Sequence, residues 1–353
     1  MLDLSVVWSD DCLAHVPEAE IWVGVRLAGT EVPERATVLR DAAVAAGARL
    51  VPAMPHNDDV LLAVHDKAFV THLSTVYDSW TAAGFPVDPG QDRVVPYVFP
   101  TAAMLDGLPA REPAAIHGRA GLYCYDTMTL VGPGTWRAAR SAVDAALTAA
   151  DLVTGGEQTA YAICRPPGHH AARSGYGGSC YLNNAAVAVA ALRAAGLPRV
   201  AVVDVDAHHG NGTQALFYDR ADVFYGSAHV DPGAGWFPHY LGFAAERGRG
   251  EGVGTNLNVP LAPGSGDGAW LAAVEAVCAA VAAFGPTAVV LSLGVDAAAD
   301  DPESPLQVSE SGYARTGALV RSLGVPVVAV HEGGYHLPTL GSLTVATLRG
   351  VAG

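Results

Sequence analysis

Val202-Val203-Asp204-Val205-Asp206-Ala207-His208-His209-Gly210-Asn211-Gly212-Thr213-Gln214 is the stretch on which the fold turns. An apolar run, Val200 to Val203, ends in carboxylates and imidazoles at alternate positions. Side chains of a strand alternate between faces, so Asp204, Asp206 and His208 start out on one side. A buried strand that ends in charge is costly unless a cation neutralises it. Oxygen and nitrogen donors without cysteine suit zinc, or another borderline divalent ion, in a catalytic rather than a structural site. A buried Asp–His hydrogen-bond network with no metal would satisfy the same pattern.

Outward from this stretch, short β-branched runs recur at Leu4–Trp8, Tyr161–Cys164, Val223–Tyr225, Ala288–Leu293 and Val325–Val330. Alanine-rich helical stretches lie between them, at Thr37–Ala46, Thr135–Ala150, Asn184–Ala195, Ala269–Phe284 and Ser311–Leu323. Strands that are apolar throughout and alternate with helices predict an α/β fold with a parallel sheet covered on both faces. In such sheets ligands bind beyond the carboxyl ends of the strands. Five of these runs lead into unusual polar groups: Arg165 to His170, Asp204 to His209, Ser227 to His229, Asp296, and His331 to Tyr335. With no repeat and no low-complexity linker, a single domain over residues 1–353 is expected. The segment of about 85–122 holds Pro86, Pro89, Pro96, Pro100, Pro109 and Pro113 without clean periodicity, and reads as a loop insertion that shapes the substrate path or a dimer contact.

Composition excludes several partners. Asp plus Glu is 35 against 20 Lys plus Arg, a net charge of −15, which opposes binding to nucleic acid and to anionic lipid. The five cysteines are scattered and lack any C-x-x-C spacing, so a reducing, cytoplasmic setting fits. No basic-then-apolar leader opens the chain, and the apolar run Ala269–Phe284 is short for a membrane span and carries Glu275.

Three further features carry chemistry. His169 and His170 follow a Pro-Pro-Gly turn at a strand end, where one imidazole can take a proton from water and the other hold one. Asp267, in Pro263-Gly264-Ser265-Gly266-Asp267, would complete Asp206 and His208 as a third metal ligand; a plain first-turn acid of the following helix is the bland alternative. Tyr335 follows Gly333-Gly334, where its hydroxyl could hold a developing oxyanion, or it is an ordinary half-buried tyrosine.

In order along the chain, Arg165-Pro166-Pro167-Gly168-His169-His170, Asp204 to Gly212, Gly266-Asp267, Ser292-Leu293-Gly294-Val295-Asp296 and Glu332-Gly333-Gly334-Tyr335 resemble the zinc-dependent histone deacetylase family of the arginase/deacetylase superfamily. The chain looks most like its bacterial acetylpolyamine amidohydrolases. The resemblance runs end to end and includes Gly132 to Trp136 and Phe237 to Gly242. It implies a mostly parallel sheet of about eight strands and an amide hydrolase that removes an acyl group from the amine of a small molecule. It implies one Zn²⁺ on Asp206, His208 and Asp267, and His170 as base and acid with His169 beside it. Asp204 would back His169, Asn211 would stand where some relatives carry a second backing Asp, and Tyr335 would polarise the carbonyl. A potassium ion at Asp204 and Ser227, and a homodimer or larger assembly, belong to the same expectation. Gly177, Gly178 and Phe237 would line the substrate tunnel. Where the polyamine enzymes place an acid, this chain has His117 near Arg119 and Arg111, which implies a neutral or anionic substrate in preference to a polycation. The alternatives are an acetylpolyamine or acetyl-lysine deacetylase proper, a dimanganese arginase-like enzyme, and a non-catalytic binding protein that keeps the fold.

Overall fold

The computed structural model describes residues 2–353, leaving residue 1 of the expected domain outside it. Its strands are β1 (Ser5–Trp8), β2 (Glu20–Trp22), β3 (Val25–Leu27), β4 (Arg49–Pro52), β5 (Thr159–Ala162), β6 (Val200–Asp204), β7 (Val223–Val230), β8 (Asn256–Leu261), β9 (Ala288–Leu293) and β10 (Val327–His331). Eight of them form one parallel sheet in the order β4-β1-β5-β10-β9-β6-β7-β8, and β2 and β3 form a separate antiparallel hairpin.

Side-chain alternation along the central strands builds two cores at once. Val200 and Val202 of β6, Ala288 and Val290 of β9, and Val328 and Val330 of β10 enter one apolar layer. Ala201 and Val203, Val289 and Leu291, and Val327 and Ala329 enter the layer on the other face. Both sets are shielded from water, which is why these strands carry no polar alternation. The first layer is roofed by the helices Lys67–Ala82, Thr135–Thr154 and Asn184–Ala194. The second is roofed by Glu34–Ala45, Asp267–Phe284, Glu310–Arg321 and Leu337–Ala352. The apolar helix Asp267–Phe284 turns Trp270, Val274, Val277 and Val281 into that core.

Two sheet strands escape the sequence reading, and both are edges. In β4 the residues are mostly exposed, and β8 mixes asparagines with apolar positions, so neither reads as a continuous apolar run. β7 continues to Val230, through Gly226 and Ser227. The helices Lys67–Ala82 and Leu337–Ala352 were likewise not anticipated, and the proline-rich segment holds short helices at Ala102–Leu105 and Ile116–Tyr123. The sheet order has one functional consequence. β5, β10, β9, β6 and β7 are consecutive neighbours, so the five polar clusters that follow them share one edge of one sheet.

Candidate active site

Three side chains converge at the centre of that edge. Asp206 and His208 follow β6, Asp296 follows β9, and one donor atom from each lies within 4.8 Å of the others. His208 Nδ1 stands 3.0 Å from Asp296 Oδ2 and 3.3 Å from Asp206 Oδ1. On the far side of the ring, His208 Nε2–H donates to the Glu303 carbonyl at 3.0 Å. That bond leaves Nδ1 facing two buried carboxylates, a gap that a cation between them would fill. Without one the ring must itself be charged. Burial works against that charge, but Asp206 and Asp296 outweigh it and hold the imidazole well above its usual range. Burial and the nearby Asp206 push Asp296 up to about 7. Two carboxylates and one imidazole suit a divalent ion of the zinc type, with room for water.

Backbone positions each ligand. Asp206 Oδ2 accepts Gly333 N–H at 2.7 Å, and Asp296 Oδ1 accepts Ala207 N–H at 2.7 Å. Gly333 and Gly294 press against these carboxylates so closely that a methyl group at either would overlap them.

Asp267 does not belong to this cluster. It opens the helix Asp267–Phe284, and its carboxylate accepts Ser309 N–H at 2.8 Å and Ser309 Oγ–H at 2.6 Å. It joins the starts of two helices, the ordinary use of a first-turn acid. Asp296 takes the place expected for it; its position at a strand end was noted in the sequence, its ligand role was not.

Both tandem histidines are anchored through Nδ1. His169 Nδ1 lies 3.2 Å from Asp204 Oδ2, which also accepts the Tyr225 hydroxyl at 3.0 Å. His170 Nδ1 donates to Asn211 Oδ1 at 2.7 Å. The rings are 4.0 Å apart, yet their electrostatics diverge. Burial opposes charge on His169, but Asp206, Asp204 and Glu332 raise it to about 10. His170 is driven well below its usual value by burial and by His169 and His208, while its partner is a neutral amide. With no ion on Asp206, the surroundings favour charge on His169 and disfavour it on His170.

Tyr335 lines the same cavity, with His170, His208, Gly178 and Phe237. Its backbone N–H donates to Asp301 Oδ2 at 2.7 Å, and the Arg35 guanidinium sits 4.6 Å from its ring centroid. Arg35 also donates to the carbonyls of Gly334 at 2.6 Å and Glu332 at 2.7 Å. Buried Glu31 balances Arg35 at 2.9 Å and Arg165 at 3.0 Å. Phe237 packs edge-on to His170 at 4.7 Å, and Gly178, at φ +56°, leaves space that a side chain would take from both rings.

The cavity rim holds what sequence reasoning missed. Glu20 of β2 and Glu303 of the loop after β9 both line it, without a cationic partner among the described residues. Burial, then Glu303, Asp126 and Glu31, raise Glu20 to about 7. His117 and Arg119, expected at the substrate, do not line this cavity. His117 packs on Phe85 and Tyr97, and Arg119 faces Glu112 at 3.6 Å. Neither rim acid carries a sequence signal of its own; only the hairpin and the loop bring them together.

The family described as histone deacetylase domain matches residues 30–351. An acetylpolyamine amidohydrolase from Mycoplana ramosa is 39% identical over 351 residues, covering 99% of this chain and 100% of its own. One from Burkholderia pseudomallei is 44% identical over 313 residues, 88% of this chain and 87% of its own. A crystal structure of acetylpolyamine aminohydrolase from Burkholderia pseudomallei superposes with a TM-score of 0.92 at 39% identity, covering 99% of this chain and 98% of that one.

Proposed function

This chain belongs to the histone deacetylase family, and from that premise we propose that it deacetylates a small acetylated polyamine by metal-assisted hydrolysis. The family supplies the amide-hydrolase class. The observation that carries the substrate is the pair Glu20 and Glu303 on the rim of the cavity that holds the catalytic groups. A carboxylate pair there attracts a distal ammonium. It replaces the expectation of a neutral or anionic substrate drawn from His117, which packs elsewhere.

Asp206, His208 and Asp296 would hold the metal, and zinc fits this donor set. When bound, the ion supplies Lewis acidity towards the amide oxygen and lowers the pKa of water to about 7. His170, neutral and held by Asn211, accepts the proton of the attacking water at Nε2. His169, hydrogen-bonded to Asp204, stands beside it to stabilise negative charge as it builds. The Tyr335 hydroxyl donates to the oxygen of the tetrahedral intermediate. His170 then returns its proton to the leaving amine, and acetate departs. Potassium at Asp204 and Ser227 is part of this reading, since the β6–β7 register sets them side by side. So is a cytoplasmic setting, in line with five free, buried cysteines. The fold is read as one domain. The test is kcat/KM for an acetylated diamine against a neutral acetylamide. A preference for the neutral compound would reject the polyamine reading.

A further inference from the structure

A second cleft lies away from the catalytic cavity, in the helical layer over the first core. Its volume is about 580 Å³, against about 460 Å³ for the catalytic one. Val189, Leu216 and Phe217 form an apolar floor, and Arg173, Arg193 and Arg220 stand around it. In a chain of net charge −15, three guanidinium groups about one apolar cleft are a local reversal of sign.

Their pairing leaves that charge open. Asp222 takes Arg193 Nε at 2.8 Å and both Nε and Nη2 of Arg220 at 2.7 Å. One carboxylate thus fixes two guanidinium planes, and Asp219 adds a second negative charge near Arg220 without bonding to it. Arg220 Nη1 and the whole Arg173 side chain have no hydrogen-bond or ion-pair partner among the described residues. Asp66, next to Arg173 through a backbone contact, gives its carboxylate to the Ser174 hydroxyl. An apolar floor beside exposed guanidinium donors that no protein group takes up is complementary to an aliphatic tail with a carboxylate head.

The cleft also borders the loop that carries His170 and the helix that starts at Asn211. Arg173 follows His170 by three residues, and the intervening Ala172 carbonyl is held by His65 Nδ1 at 2.9 Å. Leu216 and Phe217 end the helix that begins with Asn211, the partner of His170. We propose that this cleft binds an aliphatic monocarboxylate and that its occupancy alters turnover through the His170 loop and the Asn211 helix. The occupancy half rests on the cleft alone. Only the turnover half rests on the proposed deacetylase reading, whose own product is a carboxylate.

Hexanoate is the probe. Calorimetric titration of the holoenzyme, its catalytic metal capped by a hydroxamate, is expected to show one site in the millimolar range or tighter. Arg173→Ala, which removes an exposed and unpartnered side chain, and Ala190→Trp, which fills the cleft, should each weaken it about 10-fold or more. In uncapped enzyme, saturating hexanoate should change kcat in the wild type and not in these variants. A carboxylate on the catalytic metal would raise KM alone. No saturable binding, unchanged affinity in both variants, or inorganic phosphate binding as tightly as hexanoate would overturn the site. Binding with unchanged kcat would overturn its coupling to His170.

Discussion

His208 divides its two nitrogens between a backbone carbonyl and a pair of carboxylates, and the proposed metal site rests on that division. The donors named in the structure predict opposite outcomes for two aspartates. Asp296→Ala should leave the purified protein nearly free of divalent metal and nearly inactive. Asp267→Ala should keep one ion per chain and lose about 1 kcal/mol of stability with its helix-start contacts. Elemental analysis of the two variants beside the wild type separates them; metal retained in Asp296→Ala would remove it from the site. His170→Ala should lower kcat about 10²–10⁴-fold with little change in KM, because the proton moves only in the transition state. Tyr335→Phe should also act on kcat, and a wild-type kcat on an amide substrate would end its oxyanion role. Asp204, Asp206 and His208 are legible in sequence because they cluster where an apolar strand ends, Asp204 as its last residue and the other two just beyond it. Asp296 and Asp267 are each a lone Asp near glycines, and only the pairing of β9 with β6 tells them apart.

At the scale of elements, the central strands announce themselves and the edges do not. β6, β9 and β10 are apolar on both faces because both faces are roofed, whereas β4 and β8 borrow solvent on one side and lose the pattern. The same contrast predicts stability. Leu291→Ala, in the second core layer on β9, should cost about 2–5 kcal/mol in urea unfolding, as large-to-small core changes do. The hairpin β2–β3 had no such signature, yet it delivers Glu20 to the rim. Glu20 titrates near 7, above its usual 4.5, so it is charged above that pH and neutral below it. KM for an acetylated diamine should therefore rise as pH falls through about 7, while KM for a neutral acetylamide stays flat. Glu20→Gln should raise the first KM about 10-fold and erase its pH dependence. If both substrates respond alike, Glu20 does not select charge.

The whole molecule leaves apolar side chains uncovered on the hairpin and in the proline-rich segment. Trp22 and Val23 on the hairpin, and Val87, Tyr97, Met104 and Leu108 in the proline-rich segment, are all more than half exposed. Exposed apolar side chains of this kind are candidates for an interaction surface, and a second copy of the chain is the proposed occupant. Light scattering at micromolar concentration should give a dimer, and Val87→Asp with Leu108→Asp should give a monomer. A monomeric wild type would reject the assignment. The segment's lack of periodicity was visible in sequence; its exposed apolar residues became interpretable only once the buried ones were known.

The position of β10 has a further consequence, for the order in which the molecule can be made. It is the last strand in the chain but lies in the middle of the sheet, between β5 and β9. Without it the sheet divides into two blocks, β4-β1-β5 and β9-β6-β7-β8, each with an open edge where the same strand pairs. Such long-range closure is slow, and until it happens His331 to Tyr335 cannot reach the groups set by β5, β6 and β9. The tyrosine and the Gly333 N–H that orients Asp206 therefore both depend on the insertion of a single central strand.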